Sequence, residues 1–238
     1  TSLPLARDPA VAFVEIINEN GIIQKWLDGG LDRLPATYAP QLRTRWNDWL
    51  LARYANETAM LAAWEIIDLP LGSNQIANGA FSNALTGWNA EQHDTARAGF
   101  TGTYEFTGGA PSARITVTNT GSASWHIQFN FPGLRVTNGH PYTISFWAKS
   151  SPATNFDASV MQAHADWLGA GYGQSYELTT GWQRFTNTFQ ANMSDSNVRL
   201  NFGGMGTKLG TFWVADVRLQ PGGQIGTLPA GASLAART

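Results

Sequence analysis

Two short stretches of the sequence hold most of the side chains that could bind a ligand. They are Ser-Trp-His-Ile-Gln-Phe-Asn at residues 124–130 and Val-Met-Gln-Ala-His-Ala-Asp-Trp at residues 160–167. Both alternate polar with apolar residues, which is typical of a β-strand with one buried face. The polar faces then carry amides, imidazoles and a carboxylate, with an indole beside each. A flat aromatic ring next to hydrogen-bonding groups matches a pyranose, which has apolar C–H faces and a rim of hydroxyls, so the first hypothesis is a sugar-binding surface.

These side chains meet on one surface only if their strands share a sheet. Alternation directs Trp125 toward the core and leaves a polar face with two histidines, three neutral amides and two indoles. The predicted sugar-binding residues are His126, Gln128, Trp147, Gln162, His164, Trp167 and Asn201. Neutral amides and imidazoles offer hydroxyls paired donors and acceptors without a large desolvation cost. Trp147 and Trp167 are the predicted stacking platforms. Because one sugar ring covers little apolar area, useful affinity requires an extended chain.

The composition argues against several classes of partner. The 238 residues carry a net charge of −2 and a pI near 6.0, with no basic run, which argues against nucleic acid or an anionic membrane as the partner. No apolar run reaches the length of a membrane span. The chain has no cysteine, and it is long enough to bury a core without disulfides. We expect an extracellular protein, and since no signal peptide opens the sequence, this form would be mature or excised.

The density of charge divides the chain into pieces with different predicted structures. The first 68 residues hold 15 charged side chains, whereas the remaining 170 hold only 17. Residues 1–70 are predicted to be helical after a short strand. The predicted elements of this piece are a strand at residues 12–17, a short helix at 22–27, a longer helix capped by Thr37 and a helix at 57–67. Residues 221–238 are rich in Gly, Pro and Ala and are predicted to be a linker or tail.

Between residues 71 and 220 the hydrophobic period changes to two, and turns rich in Gly, Pro, Asn and Ser recur at short intervals. The predicted strands are 104–106, 113–119, 124–131, 142–149, 157–165, 174–178, 183–190, 198–202 and 211–219. Such a series is typical of an antiparallel β-sandwich or jelly roll. The predicted fold class is therefore mainly β, with an N-terminal α-helical segment.

Five motifs follow one another through this region. They are Asn78-Gly79-Ala80-Phe81, Gly87-Trp88, the run from Tyr142 to Lys149, Gly181-Trp182-Gln183, and Trp213-Val214-Ala215-Asp216-Val217. In order and spacing they resemble carbohydrate-binding modules of the family 4/9/22 type, over roughly residues 73–220. The resemblance implies a jelly roll of two antiparallel sheets that binds a β-linked polysaccharide, such as β-glucan, cellulose chains or xylan, along its concave face.

The same resemblance implies a structural calcium ion. Its position would be near the Asn-Gly-x-Phe turn, at Phe81, and at the carboxylate of Asp216. Relatives often have a second acid beside each element, where this chain has Ser82 and Ala215. Backbone carbonyl groups could replace the missing carboxylates, because calcium accepts them readily as ligands.

Residues 8–20, which end in Asn18-Glu19-Asn20, resemble the fourth strand of a clan-A glycoside hydrolase barrel. The resemblance implies that Glu19 is a general acid/base, at the carboxyl end of a barrel strand where catalytic groups lie. Retaining hydrolysis needs a second carboxylate roughly 5 Å away. The other glutamates lie in helical or sandwich patterns, and the remaining barrel units are missing. We therefore expect no turnover by this chain, which would be part of a larger glycoside hydrolase with the module following, or inserted in, a split barrel.

Three functions stay open at this point. A non-catalytic module would bind a soluble β-glucan or xylan without forming product. A glycosidase would release reducing ends, and Glu19→Gln would abolish the activity. A structural or adhesive jelly roll would do neither and would form a stable complex with a protein partner.

Overall fold

The computed structural model describes residues 29–64 and 66–226. The chain divides into two compact units, residues 1–60 with 228–238, and residues 61–227. The predicted strand at 12–17, the predicted helix at 22–27 and Glu19 lie outside the described residues. Within the described part of the chain, none of the helices has both the length and the apolarity needed to cross a membrane.

Two α-helices come first. Helix α1 spans Ala39–Arg53 and helix α2 spans Glu57–Ala63. The predicted cap at Thr37 is wrong, because Tyr38 precedes the first turn of α1 and no side chain caps it. Helix α2 does have a side-chain cap, since Asn56 Oδ1 accepts a hydrogen bond from the N–H group of Ala59 at 2.9 Å. It ends four residues earlier than the sequence predicts.

The rest of the described chain is a sandwich of antiparallel strands, which confirms the predicted fold class. The strands are β1 Ile67–Leu69, β2 Asn89–Gln92, β3 Arg97–Thr103, β4 Ser112–Asn119, β5 Ile127–Val136, β6 Pro141–Ser151, β7 Thr154–Gln162, β8 Gly169–Leu178, β9 Gln183–Gln190, β10 Asp195–Gly203, β11 Gly210–Pro221 and β12 Gly223–Ile225. The front sheet has the order β2-β5-β10-β7-β8, and the back sheet has the order β3-β4-β11-β6-β9. Strands β1 and β12 pair separately, with Ile67 opposite Ile225.

Aromatic side chains from the two sheets fill the core between them. Phe156 and Phe202 of the front sheet stack with ring centroids 5.5 Å apart, and Phe146 of the back sheet meets Phe202 edge-on at 5.1 Å. Phe129 and Phe212 are equally buried. Because successive residues of a strand point to opposite faces, this packing sends the intervening polar residues of the front sheet to its outer side, the front face.

Strand boundaries differ from prediction where local backbone chemistry intervenes. Residues 124–126 form a 3₁₀ turn, so β5 begins at Ile127 rather than at residue 124. Strand β7 ends at Gln162, three residues early. The short strand β2 and the glycine-containing β3 have too little apolar alternation to be recognised in the sequence.

The Asn-Gly-x-Phe turn docks directly on the back sheet. The N–H group of Val217 in β11 donates to the carbonyl oxygen of Gly79 at 2.9 Å. A Cβ atom on Gly79 would lie 1.8 Å from the carbonyl oxygen of Val217, so the contact requires glycine. The turn therefore requires glycine at position 79, because the backbones of the turn and of β11 lie too close together for a side chain.

Candidate ligand-binding face

A row of polar side chains crosses the front face. Asn89 of β2 is opposite Asn130 of β5, which is opposite Asn201 of β10, which in turn is opposite Ser159 of β7. Gln128 lies one outward position further along β5. Alternation thus placed Gln128 and Asn201 on a common face, and the strand register agrees. Their part in sugar binding stays a prediction.

An ion pair organises this row. Glu91 Oε1 accepts a hydrogen bond from Arg199 Nη1 at 2.8 Å and another from Asn130 Nδ2 at 2.7 Å. Arg199 Nη2 donates to Gln128 Oε1 at 3.1 Å. The side chain of Arg199 is only 7% exposed and that of Glu91 is 30% exposed. Charge-assisted hydrogen bonds in such a site fix the orientation of the amides they reach.

Sequence reasoning missed both members of the pair. The sequence did contain a signal for Arg199, because a residue two positions before Asn201 in the same strand lies on the same face of the sheet. The sequence contained no such signal for Glu91, because its strand β2 could not be recognised from the pattern of apolar residues. The pair also places a buried guanidinium on a face whose predicted sugar-binding residues were amides, imidazoles and indoles.

Two buried polar atoms of this face have no hydrogen-bond partner among the described residues. They are the donor Nε of Arg199 and the acceptor Oδ1 of Asn201. A buried polar group without a partner costs about 1–3 kcal/mol.

An exposed indole lies against the ion pair. Trp167 is 51% exposed, and the guanidinium carbon of Arg199 lies 4.9 Å from its ring centroid. This is a cation–π distance. Trp167 has a φ of 61°, the left-handed region that is unfavourable for residues other than glycine, so the loop must hold it there. The predicted platform is thus a side chain fixed from beneath and open to solvent.

Gln162 and His164 hold this loop rather than joining the polar row. Gln162 Nε2 donates to Asp195 Oδ2 at 3.1 Å, and His164 Nε2 lies 2.9 Å from the same oxygen. Hydrogen bonds to the carbonyl of Ala165 and to Asp195 raise the pKa of His164. The backbone N–H of Asn197, followed by His164 and Gln162, lowers the pKa of Asp195. The prediction that Gln162 points outward is wrong, because it is paired with the buried Val198, whereas the outward Ser159 is paired with Asn201. Gln162 and His164 lie at and just beyond the end of β7, where they support the loop.

The predicted orientations of Trp125 and His126 are wrong. Trp125 was expected in the core but is 54% exposed, whereas His126 was expected on the open face but is 6% exposed. His126 Nδ1 lies 3.5 Å from Asp94 Oδ2, and a Cβ atom on Gly121 would come within 2.4 Å of it, so neighbouring loops enclose the ring. The cause is the 3₁₀ turn at residues 124–126, within which the alternation of a strand does not hold.

The prediction that Trp147 shares this surface is also wrong. Trp147 belongs to β6 in the back sheet, opposite Arg184 of β9 and Ala215 of β11. Its ring packs at 5.6 Å from that of Phe106. The alternation of residues correctly predicted that the Trp147 side chain points outward. It does not indicate to which of the two sheets the strand belongs.

Trp147 belongs to a group that we call the back cluster, made of Phe106, Trp147, Lys149, Trp182 and Trp213. Lys149 Nζ lies 4.5 Å from the ring centroid of Trp213 and 5.1 Å from that of Trp182. Phe106 fits between two of the indoles, 5.0 Å from Trp182 in an edge-on arrangement. All five side chains are half-buried, so the cluster covers itself.

The residues that the resemblance assigns to calcium have other partners. Asp216 Oδ1 accepts hydrogen bonds from Arg218 Nε at 3.0 Å and from Arg218 Nη2 at 2.9 Å. Phe81 is buried and offers only its backbone. Asn78 Nδ2 donates hydrogen bonds to the carbonyl oxygens of the turn, at 3.4, 3.0 and 3.0 Å from those of Asn83, Ala84 and Thr86. No group of three or more His, Cys, Asp or Glu gathers within residues 29–64 and 66–226. This donor set does not fit calcium, and we assign the ion no role.

Comparisons with known proteins agree with this architecture. Residues 73–207 match the family model CBM_4_9, described as a carbohydrate binding domain. The solved structure "CBM4 structure and function" is 28% identical, with a TM-score of 0.54, over 62% of this chain and 99% of that one. The enzymatically active domain of tailspike protein 4 from bacteriophage CBA120 shares the fold, at 15% identity and a TM-score of 0.50, over 62% of this chain and 21% of that one. No curated protein sequence matches the chain.

Proposed function

This chain belongs to the CBM_4_9 family of carbohydrate binding domains, and on that premise we propose that its front face binds a β-linked polysaccharide chain, either a β-glucan of the cellulose type or a xylan. One observation carries the proposal. The exposed indole of Trp167 lies beside a row of amides that the Glu91–Arg199 pair holds in place. Apolar stacking and hydrogen bonding are thus offered side by side.

The dimensions of the row favour an extended ligand. Asn89, Asn130, Asn201 and Ser159 lie on four adjacent strands, which are about 4.8 Å apart, so the row is about 14 Å long. That exceeds the width of one pyranose ring. Asn130 and Asn201 in the middle of the row are buried, whereas Asn89 is exposed and Ser159 is half-buried, so a chain lying along the row would find its accessible hydrogen-bonding groups at the two ends.

Binding by this face would be non-catalytic. We place the chain in a larger, extracellular glycoside hydrolase, with Glu19 as a general acid/base. The sequence resemblance of residues 8–20 supports this part of the proposal. Glu19 itself lies outside the described residues, so hydrolysis is tested by product formation alone.

Calorimetry tests the proposal directly. The ligands are cello-oligosaccharides, mixed-linkage glucan, xylan, laminarin and mannan, each titrated into the full chain. We expect saturable binding to at least one β-linked glycan, without release of reducing ends, and a loss of about tenfold or more in affinity on Trp167→Ala. The matched control is Trp49→Ala, since Trp49 of α1 is 50% exposed. Absence of binding to every glycan overturns the proposal, and equal losses in both variants overturn the role of Trp167.

A further inference from the structure

Both ring nitrogens of His164 contact atoms that can only accept a hydrogen bond. Nδ1 lies 2.6 Å from the carbonyl oxygen of Ala165, and Nε2 lies 2.9 Å from the carboxylate oxygen Oδ2 of Asp195. A neutral imidazole carries one N–H group, whereas an imidazolium carries two. The two contacts are satisfied together only when His164 is protonated.

These contacts connect the loop that carries Trp167 to strand β10. The N–H group of Trp167 donates to the carbonyl oxygen of His164 at 2.8 Å. Leu168 closes the loop on β7, because its N–H group donates to Gln162 Oε1 at 3.1 Å and its carbonyl accepts from the N–H group of Gln162 at 2.9 Å. On the other side, Asp195 Oδ1 accepts from the N–H group of Asn197 at 2.8 Å. The imidazole therefore stands between the loop and the strand whose Arg199 supports the indole.

We infer that His164 and Asp195 are positioning residues for glycan binding: the imidazolium of His164 fastens the loop 163–168 to Asp195 and so keeps Trp167 over Arg199. Deprotonation removes one of the two hydrogen bonds and releases the platform. Affinity is then highest at acidic pH and falls as the pH rises. This inference rests on the proposed function, because it concerns the same face.

The charges around His164 agree in sign. Asp195 faces it from β10 and Asp166 from its own loop, and both favour the imidazolium, as does the carbonyl of Ala165. The cation on the far side is Arg199, beneath Trp167. We call the two hydrogen bonds of the His164 imidazolium, to Ala165 and to Asp195, the clamp. Since the pKa of His164 in the folded chain lies above its usual value of 6.5, the clamp is complete below about pH 6.5 and is lost as the pH rises through the folded value.

The test measures affinity against pH. Calorimetry with the best glycan is repeated from pH 5 to pH 9 for the full chain, for His164→Ala and for Asp195→Asn. We expect the affinity of the unchanged chain to fall roughly three- to tenfold over this range, the scale of one ordinary hydrogen bond lost at a partly exposed side chain. Both variants should bind at the weaker level throughout, with flat profiles. The matched control is His140→Gln, an exposed histidine whose backbone makes hydrogen bonds with Thr137 and Ala191, and this variant should keep the full profile.

A second measurement needs no glycan. The indole N–H resonance of Trp167, assigned with Trp167→Phe, should titrate in NMR spectra with the midpoint of the His164 ring and should stop titrating in Asp195→Asn. If no glycan binds at any pH, the proposed function fails while the indole titration still tests the clamp. If glycan binds with the same profile in His164→Ala as in the unchanged chain, or the indole resonance ignores His164, the inference is overturned.

Discussion

Both outer faces of the sandwich place a cation against an indole, but the indole is exposed on one face and covered on the other. On the front face a guanidinium lies under one indole, and in the back cluster an ammonium lies over two. Trp167 keeps half of its surface exposed, whereas the back indoles and Phe106 cover one another. A tryptophan beside a cation is therefore not by itself a binding site. What distinguishes the front face is an indole left open next to hydrogen-bonding groups that are already oriented.

The largest expected effect comes from breaking the ion pair of the front face. Glu91→Gln leaves the guanidinium of Arg199, which is 7% exposed, without its carboxylate. We expect the free energy of unfolding to fall by about 2 kcal/mol, less than for a fully buried pair because Glu91 is partly solvated. Glycan affinity should fall with it. Urea denaturation and calorimetry measure the two changes, and the control is Glu177→Gln on the exposed edge strand β8. An unchanged affinity would show that the pair does not orient the amides.

Trp147→Ala separates stability from binding. Removal of a half-buried indole from the back cluster should lower the free energy of unfolding by about 2 kcal/mol, because Phe106 loses one of the two indoles that it packs against. Calorimetry on the folded protein should give an unchanged glycan affinity. Trp147→Phe keeps an aromatic ring and should recover part of the stability. A tenfold loss of affinity in the folded variant would mean that the back cluster also contacts glycan.

Lys149→Met tests the cation of the back cluster. Methionine retains most of the apolar stem and removes the ammonium from the two indoles, so we expect a loss of about 0.5 kcal/mol in the free energy of unfolding. The loss should be absent in Lys149→Arg, which keeps the charge. Thermal and urea unfolding detect it, and glycan affinity should not respond. A stability gain in Lys149→Met would show that desolvation of the ammonium outweighs its attraction to the rings.

Chelation should have the smallest effect. Because Asn78 and Arg218 occupy the groups expected to hold calcium, addition of a chelator should leave both the melting temperature and glycan affinity unchanged. Differential scanning calorimetry with and without a chelator, and then with added calcium, makes the comparison. A drop in melting temperature that calcium reverses would contradict this reading of the turn.

The sequence revealed the strands and the directions of their side chains better than it revealed their neighbours. Alternation placed Gln128 and Asn201 on one face because buried phenylalanines flank them in strands long enough to keep the period. It could not show that Trp147 lies in the other sheet, because sheet membership depends on long-range pairings such as that of Asn130 in β5 with Asn201 in β10. It failed at Trp125 and His126, where a 3₁₀ turn shifts the faces. Glu91 stayed hidden in a strand of four residues with little apolar content.

The pairing of β1 with β12 has a consequence for protein engineering. It brings residues 67 and 225 to opposite positions of one antiparallel ladder, within about 5.5 Å between Cα atoms. Entry to and exit from the sandwich thus lie side by side, so a short linker could join them and new termini could be opened at an exposed turn. Such a circular permutant would keep both sheets and the front face, with the points of attachment moved elsewhere on the surface.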